Sequence, residues 1–353
     1  MIQNRERMYL NVIKGIAIVL MIWGHCIQYC AMYCFDYFEN GVHQFIYSFH
    51  MPLFMLVSGY LFFFSFEKRD LKTLLIHRTQ GMLQPIVFGS VLNLLLMELP
   101  TALLYGYLNI FNGKLLNSLY SLWFLWCVLS SSLAVALAEK LGRNVLVRFL
   151  YLAAGVAIVA LFPEYNYHLY MYPYFVAGFL YGKYRSRIPG WLTKMAYLSL
   201  AAFPVLLLFF ERRHYIYVTP IYTTDLARAD LNMLNCYRWA IGFAGSLFVL
   251  TVTDLLFRWT EGRKLPQRIF GMLAKLGENS LAIYVISVSL LSYYLPKAYD
   301  RFLMVLGSNL PAEHIGLYNF VFTPVLTVLY CFGLYYVVLL MKKIKIHRIV
   351  FGR

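Results

Sequence analysis

About ten apolar stretches of some 20 residues follow one another along this 353-residue chain, and that repetition restricts the fold more than any motif does. A helix of that length crosses the hydrocarbon core of a bilayer, and backbone polar groups at that depth have to be satisfied within the segment. The stretches lie near 9–31, 44–65, 82–105, 119–138, 145–162, 171–182, 191–210, 237–257, 270–292 and 317–341. Only 13% of residues are charged, against about a quarter in soluble domains, so the chain lacks the polar surface a soluble fold of this length needs. The expectation is an all-α polytopic integral membrane protein with about ten transmembrane helices. It is a single domain over 1–353, with no fused soluble domain, internal repeat, Gly-rich phosphate loop or Gly-x-Ser-x-Gly elbow. The first stretch follows Arg5-Glu6-Arg7 like a signal peptide. It lacks a small-residue cleavage site and is expected to be retained.

A net charge of +15 would suit nucleic acid, but its placement argues for topology instead. With residues at span edges counted on the nearer side, 23 Lys and Arg fall on the side of the N-terminus, 7 on the other, and Lys14 within a span. Basic residues collect in cytoplasmic loops because they resist translocation. Both termini are therefore expected in the cytoplasm of a multi-pass protein of the plasma or bacterial inner membrane. Its partner is the lipid bilayer and not nucleic acid.

Within this apolar chain, Lys14, His25, His50 and Pro52 stand out between Tyr9 and Phe66. An ionisable residue inside a span is costly and marks a functional site by default. Lys14 and His25 are eleven residues apart, on one helical face and separated by roughly 16 Å along the axis. Taken singly, Lys14 reads equally as snorkelling to the surface and His25 as a satisfied core imidazole. Pro52 predicts a kink or break near His50, which should then face a cavity at about the depth of His25. Gly15 and Gly24 would admit a neighbouring helix. Cys26, Cys30 and Cys34, with Tyr29, Tyr33 and Tyr37 beside them, form a stripe best read as packing. No metal site is expected.

Tyr9-Leu10-Asn11-Val12-Ile13-Lys14-Gly15, ending at Gly24-His25, resembles the opening of membrane-bound acyltransferase family 3, which has a basic residue, ten intervening residues and a histidine. Phe49-His50-Met51-Pro52-Leu53-Phe54 with Ser58-Gly59 is similar to that family's second motif. Lysine where the family usually has arginine is typical of the branch resembling fucose 4-O-acetylases and other stand-alone sugar acetyltransferases. Further likenesses are a basic loop (Lys68, Arg69, Lys72, His77, Arg78) before Leu83-Gln84-Pro85, and a Trp-Phe-Leu signature at Trp123. The stretch Met171-Tyr172-Pro173 fits a kinked sixth helix. Leu276-Gly277-Glu278-Asn279-Ser280-Leu281 is similar to the family's late Gly-x-Asn-Ser-Leu motif, although Ser287 stands where the family often has histidine.

The resemblance implies O-acyl transfer, most simply acetyl transfer, from acyl-CoA on the cytoplasmic side to a hydroxyl of a sugar or glycan on the outer side. His25 would be the base, and His50 would orient it, protonate the leaving group or bind the acceptor. Lys14, Arg69 and Arg78 would hold the coenzyme, with Ser58, Trp123, Glu278 and Asn279 in support. The Tyr165–Tyr172 turn and the polar 211–236 loop, including Asp225, are candidates for sugar contact. Direct transfer and a covalent acyl-enzyme both stay open. Two other classes use comparable residues. A transporter or exporter could employ intramembrane Lys and His as a relay, and a polytopic glycosyltransferase would place an acid in an early outer loop, where Asp36 and Glu39 lie.

Overall fold

A computed structural model describes residues 4–31, 35–105, 114–221, 228–260, 263–306 and 313–351. Those residues form helices and turns, with no strand among them. Helix α1 (Asn4–Ala31) is followed by a 3-10 turn at Tyr37–Glu39, α2 (Gly41–Tyr47) and α3 (His50–Lys68). The break at Ser48–Phe49 falls where Pro52 predicts it, because proline in the first turn of α3 has no amide hydrogen to donate back into α2.

Only Arg69-Asp70 separates α3 from α4 (Leu71–Tyr105), so the expected basic loop is almost wholly helix. The first turns of α4 carry Lys72, His77 and Arg78, whose polarity hid its start from a hydropathy reading. Asp70 accepts the Thr73 amide hydrogen at 3.0 Å, and hydrogen bonding from the Thr73 side chain, then from its amide, holds the carboxyl below the ordinary range.

Next come α5 (Lys114–Ser121), α6 (Trp123–Leu141), α7 (Val145–Val159) and α8 (Tyr165–Tyr184). Beyond them lie α9 (Gly190–Lys194), α10 (Ser199–Leu207), α11 (Ala229–Trp259), α12 (Lys264–Glu278) and α13 (Ser280–Ser289). The chain closes with α14 (Leu295–Leu306), α15 (Thr323–Lys343) and α16 (Ile346–Phe351). Among the described residues, six helices are long and apolar enough to cross a membrane, and α12 with the helix after it makes a seventh candidate bent by 65°. That bend divides the expected 270–292 span at Asn279. The expected 171–182 span is the second half of the longer α8, around Pro173, while 191–210 breaks into α9, a 3-10 turn and α10.

The bundle is drawn together at two close helix crossings. A Cβ on Gly15 would lie 2.0 Å from the Leu273 carbonyl oxygen, and one on Gly277 1.8 Å from that of Asn11, so α1 and α12 touch backbone to backbone. Gly59 and Gly178 join α3 to α8 in the same way. Buried Glu139 pairs with Lys183 at 2.5 Å. Glu6 takes hydrogen bonds from Tyr60 and Arg185, tying the start of α1 to α3 and the end of α8. Cys26 and Cys30 are buried in the core. Cys34 and Tyr33 lie outside the described residues.

Backbone contact at Leu273 leaves no side chain to move aside. Gly15→Ala should therefore destabilise the protein by about 1–3 kcal/mol, read as an earlier loss of the monodisperse peak on heating in detergent. Gly81→Ala, with nothing within 4 Å of its Cβ, should be neutral or slightly stabilising.

Candidate functional site

One seam of α1 organises the site. Lys14, Ile18, Met21, His25 and Gln28 follow the alternating four- and three-residue spacing of a single helix face, and all five line cavities. Met51, Phe54, Ser58, Leu61, Ser65 and Lys68 give α3 a similar seam, running the opposite way along the same cavities.

The larger cavity, about 680 Å³, lies at the Lys14 end. Arg7, Lys14, Lys68, Arg69 and Arg78 line it, with Glu278 as its one carboxylate among the described residues. Ser58 and Asn279 line it too. Asn11 donates to Glu278 at 3.2 Å, and Lys342 donates to Asn279 at 2.6 Å, so the bend between α12 and α13 is held against α1 and α15. The Arg78 guanidinium lies 5.0 Å over the Phe62 ring.

The smaller cavity, about 330 Å³, holds His25, His50 and Trp123. Among the described residues, no Asp, Glu, Lys or Arg lines it. Tyr29, Tyr47, Tyr167, Tyr170, Tyr215 and Tyr217 supply its walls. Trp123 stacks on Tyr167 with ring centres 4.6 Å apart, so it serves the cavity wall as well as the helix start. His214 joins from the 211–217 segment, where burial and then the Arg213 charge push its imidazole down to about 4. It stays neutral at physiological pH, its Nδ1 accepting the Glu211 amide hydrogen at 2.8 Å. Asp225 lies outside the described residues.

The hydrogen bonds assign the proton on both cavity histidines. His50 Nδ1 is 2.9 Å from the Ile46 carbonyl, an acceptor, so it carries hydrogen and leaves the lone pair on Nε2. At the break the Ile46 carbonyl takes the Phe49 amide hydrogen at 3.4 Å as well as that of the His50 side chain. Tyr47 donates its only hydroxyl hydrogen to Gln28 Oε1 at 2.8 Å. Its oxygen, 3.0 Å from His25 Nδ1, therefore accepts from that nitrogen. Gln28 Oε1 is 3.2 Å from the same nitrogen. His25 thus also presents a basic Nε2. The Tyr47 ring stands edge-on between the two imidazoles, 6.0 Å from His25 and 4.8 Å from His50.

A further layer holds this pair. His43 stacks on Tyr47 at 3.9 Å and hydrogen-bonds Tyr215 at 3.0 Å. Arg238, only 1% exposed, donates to the carbonyls of Arg213, His214 and Tyr215 at 2.7, 2.9 and 3.3 Å. These neutral acceptors clamp the 211–217 segment over the cavity.

The sequence-derived residues are thus brought together in two groups. His25, His50 and Trp123 share one cavity, and Lys14, Ser58, Arg69, Arg78, Glu278 and Asn279 share the other. Ser287 lines neither; it is fully buried and donates back to the Tyr284 carbonyl. Gln28 and Tyr47 carry no motif. Gln28 was signalled only by its three-residue spacing from His25. The space for Tyr47 comes from Gly24, where a Cβ would meet the Tyr47 ring at 2.6 Å.

The sequence profile described as "Acyltransferase domain", of acyltransferase family 3, matches residues 7–343. The chain belongs to this family. It is similar to the nodulation protein NolL of Sinorhizobium fredii, with 30% identity over 51% of this chain and 50% of that protein. It is also similar to NolL of Mesorhizobium japonicum, with 26% identity over 57% of this chain and 56% of that protein. The chain thus spans about half the length of the curated relatives it matches. No solved structure matches.

Removing the acceptors of the His25 Nδ1 hydrogen frees the ring to tip or change tautomer. At about 1 kcal/mol per hydrogen bond, Gln28→Leu and Tyr47→Phe should each slow acyl transfer roughly 5-fold. Protein yield should hold, since Phe keeps the ring against Gly24. Unchanged single-turnover rates in both variants would contradict the tautomer assignment.

Proposed function

We propose that this membrane protein of an acyl-transferring family is an O-acyltransferase, acetyl in the first instance. It takes its acyl group from acyl-CoA and delivers it to a hydroxyl of a sugar or glycan. The observation that carries the reading is the end-to-end arrangement of two unlike cavities along one pair of helices. One is lined by five cations, the other by aromatic rings and two oriented imidazoles.

Coenzyme A carries phosphates at one end and its thioester at the other. Guanidinium and ammonium groups at Arg7, Lys14, Arg69 and Arg78 suit the phosphates. The excess of basic residues on the N-terminal side supports a cytoplasmic position for that cavity, in a plasma or inner membrane. The cavity of about 330 Å³ falls at the lower end of the size range of small-ligand sites. It suits one or two sugar units, with tyrosine and tryptophan faces against their C–H surfaces.

In the proposed reaction the acceptor hydroxyl gives its proton to His25 Nε2 as its oxygen attacks the thioester carbonyl. The carbon–oxygen bond forms, the carbon–sulfur bond breaks, and the departing thiolate takes the proton from His25 to leave as free coenzyme A thiol. Direct transfer needs no further residue. His50, whose Nε2 is also a lone-pair acceptor, holds a second acceptor hydroxyl and so orients the first. Base catalysis of this type contributes about 10²- to 10⁴-fold.

His25→Ala should therefore lower transfer from labelled acetyl-CoA in membranes by about that factor at matched protein amount; full activity would remove the base from the scheme. Arg78→Ala should raise the KM for acetyl-CoA about tenfold or more, as for a lost charge-assisted contact, with a smaller change in kcat. Mass spectrometry of surface glycans with and without the gene would identify acceptor and acyl group together, and an identical glycan profile would count against the reading.

A further inference from the structure

The two cavities have three lining residues in common: Met21 of α1, Met51 of α3 and Tyr284 of α13. All three are at most 9% exposed. Tyr284 is held edge-on by Phe124 at 5.9 Å, and Phe124 leans in turn on Phe54 at 5.9 Å. One side of the collar is therefore a braced ring. The other two sides are methionines, whose unbranched thioethers adjust to what lies between them.

Its depth follows from the α1 seam. Met21 is four residues from His25 and seven from Lys14, which at 1.5 Å per residue is about 6 Å and about 10 Å along the axis. A hydroxyl losing its proton to His25 has to attack a thioester carbonyl about 3–3.5 Å away. The carbonyl must then lie on the His25 side of the collar while the coenzyme phosphates stay among the cations on the Lys14 side. The narrow thiol-bearing arm occupies the collar, and the acyl group has to pass it first.

We infer that Met21, Met51 and Tyr284 are the acyl-size filter of the enzyme, admitting an acetyl group and retarding broader, branched ones. This rests on the acyl-CoA reading above. A straight chain is no wider than the coenzyme's own arm, so the collar sorts by branching. A hydrophobic site discriminates one methylene by about 10- to 200-fold, and isobutyryl-CoA widens the acyl group by two methyl groups.

The test compares acetyl-CoA with isobutyryl-CoA in membranes holding wild type, Met21→Ala, Met51→Ala and Met51→Trp, with binding of labelled free coenzyme A measured alongside. The ratio of isobutyryl to acetyl transfer is internal to each preparation and independent of the amount folded. The filter predicts that the ratio rises at least tenfold in the Ala variants. It also predicts that Met51→Trp loses acetyl transfer while still binding coenzyme A. Met21→Val and Met51→Val remove less volume and should move the ratio the same way by less. An unmoved ratio in active Ala or Val variants, or full acetyl transfer by Met51→Trp, overturns the filter while leaving the transferase reading intact. Wild type that consumes neither acyl-CoA would instead overturn the transferase reading.

Discussion

The structure depends on giving ionisable side chains somewhere other than lipid to face. A lysine and two histidines at bilayer depth are tolerated only against protein or a wet cavity, and two antiparallel seams meet that demand together. Because α3 runs against α1, its histidine end meets the histidine end of α1 and its Lys68-Arg69 end meets Lys14. The other sides of both helices are closed by glycine crossings, α12 on α1 and α8 on α3. Those contacts let the facing seams stay apart far enough to enclose space.

The same constraint explains the unusual backbone at the site. Proline early in α3 and the 65° bend at Asn279 both interrupt hydrogen bonding in apolar segments, which membrane depth permits only beside a cavity. Each interruption is used. The Ile46 carbonyl fixes His50, and Asn279, with its side-chain oxygen on Lys342, lines the basic cavity.

Fold class and the Lys14–His25 seam were legible because both are periodic in sequence, as apolar length and as helical face. The break at His50 was legible because proline has a fixed local consequence. The extent of α4 was not, since polar first turns look like a loop to any hydropathy measure. Nor were Tyr47 and Arg238. Tyr47 matters through its contact with a helix twenty residues away, and Arg238 through carbonyls that only the folded 211–217 segment presents. Such partners are set by packing of distant segments, and packing leaves no spacing rule to read. Trp123 shows the same limit: interfacial tryptophan is so common in membrane helices that its stacking on Tyr167 had no separate signature.

The separation of charge between the cavities bears on how the proposed base works. In hydrolytic triads a buried carboxylate orients histidine and stabilises the imidazolium that forms. Here the orienting groups are a neutral amide and a neutral phenol, and no carboxylate lines that cavity among the described residues. The ring is placed as firmly, with its Nε2 lone pair toward the cavity, but its protonated form has no fixed anion beside it. In the proposed reaction the imidazolium has to exist only from hydroxyl deprotonation to thiolate release, and then surrender its proton to a thiolate, a stronger base than imidazole. Neutral orientation favours that return step, which a carboxylate partner would retard. In the proposed reaction, a charged cavity for the donor and one lined by no Asp, Glu, Lys or Arg among the described residues for the acceptor are two parts of one electrostatic arrangement: phosphates sit where cations are plentiful, and the proton is handled away from them.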